Sequence, residues 1–182
     1  RHADWVAQKL DAWALRPRPQ ALAIVDGARL PLLGRTLTLR LALGGNRVLW
    51  NEGGEPTLTL LLRSPIDAGR VLEKALRERA RTLFAERLAH YAGRLAHPVP
   101  ALALSAARTR WGSCSTRSGI RLNWRLIHFP RDIVDYVVAH EVAHLREMNH
   151  STRFWALVGQ LYPDYATARQ TLRKLAADCP HW

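Results

Sequence analysis

His140, Glu141 and His144 stand in the order H-E-x-x-H, and no other stretch of this 182-residue chain restricts its fold and chemistry as tightly. Residues four apart on an α-helix lie on the same face, so a helix here aims both imidazoles at one point and sets Glu141 beside them. Zinc prefers four nearly tetrahedral ligands, and catalytic sites use three protein ligands and leave the fourth position to water. His150, ten residues after His140, takes the third ligand position of the long pattern H-E-x-x-H-x-x-G-x-x-H. Glu147 stands where that pattern has glycine. The chain must therefore leave the helix by a different turn, and Asn149, a residue type that tolerates the left-handed conformation, is the expected place.

The surroundings support a helix. Pro130 and Asp132 give a start signal, and the predicted helix runs from Ile133 to Leu145. Val134, Val138, Val142 and Leu145 form an apolar stripe beside the histidines, so one face is expected to meet the core and another a cleft. Two helices should follow, Ser151 to Leu161 with Ser151 as N-cap, and Asp164 to Ala177 after the break at Pro163. A longer helix is predicted from Asp67 to Leu95, where Leu72, Leu76, Ala80, Leu83, Leu88, Tyr91 and Leu95 trace one stripe of the kind that packs a core.

Upstream, the period changes to two. Residues 21–63 read as strands: Leu37-Thr38-Leu39-Arg40-Leu41 alternates, Asp26-Gly27 and Gly44-Gly45-Asn46 make turns, and Asn51 to Pro56 leads into Thr57 to Leu62, together a β-meander. Ala101 to Thr109 and Ile120 to Trp124 read as two more strands, joined by a loop from Gly112 to Gly119. They directly precede the motif helix, and an edge strand beside a zinc cleft can hold an extended peptide by main-chain hydrogen bonds. The class is α+β, with a β-rich lobe at residues 1–66 and the metal-binding domain, a mixed or antiparallel sheet packed on the motif helix, at residues 67–182. There is no internal repeat.

Composition narrows the setting. No run of eighteen apolar residues appears and the opening Arg1 to Trp5 lacks the hydrophobic region of an export signal, so no membrane partner is expected. Cys114 and Cys179 are the only cysteines, which reads as two reduced thiols and a cytoplasmic setting. A net charge of +12 raises nucleic acid as a partner, although the 24 arginines behind it are spread along the chain and do not form a block.

Several stretches together resemble the YgjP-like metallopeptidases, also called domain of unknown function 45, and related to the WLM and SprT-like zincins. They are Arg110 to Cys114, Leu122 to Leu126, Tyr136 to Leu145, and Asn149-His150-Ser151 with Phe154-Trp155. The resemblance implies a zincin-like fold, His150 as third zinc ligand, and no need for glycine at position 147.

A zinc peptidase acting on a peptide or protein is the expectation, with His140, His144 and His150 holding one Zn2+ and Glu141 as general base toward the attacking water. Tyr136, Tyr162, Tyr165 and Arg110 are candidates to steady the oxyanion, each with a structural role as its first reading. Trp111, Trp124 and Trp155 read as core anchors, and His128 as incidental. Cys114 is weighed as a fourth ligand and disfavoured, because zinc closed by three histidines and one cysteine is uncommon. The rival expectation, prompted by the basic balance and by SprT-like proteins, is a nucleic-acid-associated zinc module, or a protease acting on DNA-bound proteins.

Overall fold

The computed structural model of the chain describes residues 21–182. The stretch from Arg1 to Trp5, and with it the reading of an absent export signal, lies outside them. Among the described residues no helix is long and apolar enough to cross a membrane.

The first sheet holds β1 (Arg29–Leu32), β2 (Arg35–Leu43), β3 (Arg47–Asn51) and β4 (Thr57–Leu62). Their order is β1-β2-β4-β3, so the expected meander is corrected: β4 slots between β2 and β3. β4 runs parallel to β2, with Thr38 facing Thr57 and Leu43 facing Leu62, and antiparallel to β3. The strands' own sequences account for this. Leu58, Leu60 and Leu62 of β4 are buried while the residues between them are half-covered, the profile of a central strand. β3 buries nothing fully and has Arg47 and Asn51 exposed, which suits an edge. The β2–β3 turn passes over the sheet at Gly44, where a Cβ would fall 2.6 Å from that of Leu61.

A 3-10 turn at Pro65–Asp67 leads into α1 (Ala68–Arg94). All seven residues of the predicted stripe are buried, and α1 packs on β4 on one side and on the motif helix on the other. The latter contact carries an ion pair, Arg87 Nε to Asp135 at 2.5 Å, with both side chains mostly covered.

The second sheet is β5 (Leu102–Ser105), β7 (Gly119–Asn123) and β6 (Gly112–Ser115), in the order β5-β7-β6. β6 occupies the segment expected to be loop. Glycine and serine have poor strand propensity, and the extended state here follows from antiparallel pairing with β7, Gly112 opposite Leu122 through Ser115 opposite Gly119. A 3-10 turn, Trp124–His128, then delivers α2 (Arg131–Ala143), followed by α3 (Thr152–Leu161) and α4 (Tyr165–Leu175). The chain is thus mixed α+β, with two small sheets and four helices among the described residues.

Candidate metal centre

α2 buries Val134, Val138 and Val142 completely, and this fixes the rotation of the helix about its axis. His140 and Glu141 lie in its last turn and His144 caps it with φ −64° and ψ −17°. The exit turn is made without a left-handed residue: the amides of Arg146 and Glu147 both donate to the Ala143 carbonyl, each at 3.1 Å. Asn149 is not among the residues of positive φ, which corrects the expectation placed on it. Its carbonyl instead accepts from the Ser151 amide at 2.7 Å. Ser151 then caps α3 as predicted, its hydroxyl accepting from the Phe154 amide at 3.3 Å. His150 is thereby held between two short-range hydrogen-bonded turns.

The three histidines converge. One ring nitrogen of each lies within 4.8 Å of those of the other two, and Nε2 of His140 and Nε2 of His150 are 3.2 Å apart. Nitrogens bound to a tetrahedral zinc at about 2.0–2.1 Å would stand about 3.3–3.4 Å from each other. His144 sets its ring with Nδ1 3.0 Å from the Glu147 carbonyl oxygen, so Nδ1–H donates and Nε2 keeps its lone pair for a metal. The Nδ1 of His140 is buried with no hydrogen-bond partner among the described residues. Phe154, fully buried, lies beneath all three rings: it stacks on His144 at 4.4 Å between centroids and meets His140 and His150 edge-on at 4.9 and 4.7 Å.

Burial favours the neutral imidazole at His140 and His144, the form that ligates a metal. Burial, followed by the neighbouring His144 and His150, pushes His140 down to about 3, and burial likewise lowers His144. Glu141, 6% exposed, is pushed up to about 7 by burial. Such a carboxyl is balanced between holding and releasing a proton near neutral pH. The donor set of three converging imidazoles therefore fits a zinc ion, with Glu141 adjacent.

A cavity of about 170 Å3 opens beside these groups, lined among others by Trp111, Gly112, Tyr136, His140, Glu141 and Leu172. A larger groove of about 780 Å3 runs along α1 to Trp182, and among the described residues neither histidine nor cysteine lines it. Gly112 is a functional position that the sequence reading did not single out. A Cβ there would lie 2.6 Å from Glu141 Cγ and 2.7 Å from Cδ, so the β6 backbone presses directly against the carboxylate-bearing side chain. Asn123 holds that approach in place: its Nδ2 donates to the Ala107 carbonyl at 2.7 Å, and its amide to the Trp111 carbonyl at 2.8 Å.

Other candidates separate by position. Tyr136 lines the cavity, whereas Tyr165 stacks on Trp155 at 5.4 Å and Arg110 is exposed. Trp155, read as a core anchor, is only half-buried and stacks on His150 at 5.8 Å. Trp124 is fully buried, in keeping with its reading as an anchor. His128 is buried elsewhere, against the Pro31 carbonyl at 2.8 Å. Cys114 is not a member of the histidine cluster.

A cluster of three histidines, from the end of one helix and the turn that follows it, with a buried glutamate alongside defines the class of centre found in metal-dependent hydrolases. The family model described as YgjP-like, metallopeptidase domain, matches residues 1–175, and the chain belongs to that family. No curated protein and no solved structure matches it.

Proposed function

We propose that the protein is a zinc peptidase of zincin type, in which His140, His144 and His150 hold the metal and Glu141 is the general base. The observation that carries this reading is the 3.2 Å approach of the Nε2 atoms of His140 and His150. Two lone pairs facing each other so closely repel unless a proton or a cation lies between them.

When bound, zinc supplies a Lewis acid that makes water nucleophilic near neutral pH and polarises a carbonyl. Glu141 takes the proton of the attacking water and returns it to the leaving amine, a double task suited to a carboxyl pushed up to about 7. Tyr136 brings to the same cavity a phenol kept neutral by burial, a suitable donor to a developing oxyanion. Among the described residues β6 pairs with β7 on one side only, and its other edge suits the main chain of an extended peptide next to Glu141.

Elemental analysis of purified protein, with a peptide-hydrolysis assay, tests the reading. One zinc per chain is expected, retained in Glu141→Gln with hydrolysis lost and absent from His140→Ala and His144→Ala. Full zinc content in both histidine variants, or an active Glu141→Gln protein, would refute the assignment.

A further inference from the structure

We propose that Arg169 and Arg173 on α4 form a cationic rim that selects a carboxylate on the substrate, so that the cavity takes acidic peptides. This rests on the peptidase reading above and names its substrate class.

Leu172 lines the cavity together with His140 and Glu141. Arg169 lies three residues before it and so neighbours Leu172 on α4, and Arg173, four residues after Arg169, shares the face of Arg169. Both are exposed. The Arg169 guanidinium stands 4.8 Å from the centre of the Trp155 ring. That ring stacks on His150 at 5.8 Å and meets His140 edge-on at 5.7 Å, so the guanidinium is one aromatic ring away from the histidine cluster. Tyr165 stacks on Trp155 as well, at 5.4 Å, and braces it.

Among the described residues the charges at this rim have no carboxylate partner. Neither Arg169 nor Arg173 makes a salt bridge among the described residues, in contrast to Arg70, Arg77 and Arg87 of α1, which pair with Asp67, Glu73 and Asp135. Among those residues Glu141 is the one carboxylate lining the cavity, and it is committed to the chemistry. A guanidinium held over an indole keeps its N–H edge available, and that edge matches the two oxygens of a carboxylate. A substrate carboxylate entering beside the histidines would complete the charge balance.

The test is binding of short labelled peptides to the full zinc-loaded chain carrying Glu141→Gln, with the metal-free chain in parallel. Three peptides share one neutral sequence: C-terminally amidated, amidated with one Asn→Asp change scanned along it, and with a free C-terminal carboxylate. At least one carboxylate peptide should bind about tenfold more tightly than the neutral amide. Whether the Asp or the free terminus gives the gain identifies the source of the carboxylate. Adding Arg169→Gln and Arg173→Gln should erase the gain while neutral-peptide affinity falls by less than about twofold, and Arg169→Lys with Arg173→Lys restores part of the gain. Equal binding of all three peptides overturns the proposal, as does a preference that survives the double Gln change. Displacement of the acidic peptide by an equimolar single-stranded oligonucleotide also overturns it, in favour of phosphate recognition. Cleavage by the unsubstituted chain separates the two readings: hydrolysis without carboxylate preference sinks the rim alone, and carboxylate-selective binding without hydrolysis of any peptide sinks the peptidase reading alone.

Discussion

The ring of His144 is oriented by a main-chain atom, the Glu147 carbonyl, which receives its Nδ1 proton at 3.0 Å. The side chain at position 147 has no part in that bond. Glu147→Ala should therefore leave zinc affinity within about twofold, whereas Glu147→Pro, which removes the amide bonded to Ala143 and disturbs the turn, should weaken it by about 10–100-fold, the usual cost of losing a group that orients a ligand. Competition titrations with a chelating dye measure both. Equal losses in the two variants would mean that the glutamate side chain matters.

Gly112 leaves no space for a methyl group against Glu141. In Gly112→Ala either β6 or the carboxylate must shift, and a shift of the order of 1 Å in a catalytic group lowers turnover by roughly 10²-fold. Zinc content should stay at the level of the unsubstituted protein, since Gly112 is not among the histidine ligands. Steady-state hydrolysis together with metal analysis decides it, and undiminished turnover would show that the contact is slack.

His128 gives the fold a pH dependence of its own. Burial, aided by the charge of Arg125, holds it down to about 4 against the opposing hydrogen bond to Pro31. The unfolded chain takes up a proton near pH 6.5, which the folded chain refuses until near pH 4. Stability from neutral His128 is therefore fully present above about pH 6.5 and is lost as pH falls toward 4, by about 3 kcal/mol in all. Urea unfolding of metal-free protein at pH 7 and pH 4.5, an interval in which His140, His144 and Glu141 contribute as well, should show a pH dependence that differs between the original protein and His128→Gln by about 2 kcal/mol. A variant with the same pH dependence as the original protein would clear His128 of the role.

Arg87 and Asp135 tie α1 to α2 through a mostly covered ion pair. Removing one partner strands the other charge, so Arg87→Ala should cost about 2–4 kcal/mol, less than the 3–5 typical of full burial. Replacing both by apolar residues should recover most of that. Denaturant midpoints of the two single variants and the double variant form the cycle, and additive losses would show that the pair is uncoupled.

Local periodicity carried much of the sequence reading. The stripe of α1, the valines of α2, the Ser151 cap and the gathering of His140, His144 and His150 all depend on residues within a few turns of one another, where the 3.6-residue repeat is decisive. Strand order was hidden for the converse reason. β4 lies between β2 and β3 because its leucines compete best for the core, a comparison among segments that no single window contains. β6 was hidden because Gly112 to Ser115 are extended only through their pairing with β7. The contact of Gly112 with Glu141 spans the sheet-to-helix interface and has no spacing signature.

His150 sits immediately before the residue that caps α3, and Phe154, two residues into that helix's first turn, is locked beneath the histidines. Whatever grips the His150 ring therefore also grips the start of α3. A zinc ion bridging His140, His144 and His150 would act as a staple between two helices, and its loss should be felt well beyond the reacting atoms. Hydrogen exchange of α3 amides should slow on zinc loading, making a helix with no role in the chemistry a reporter of occupancy.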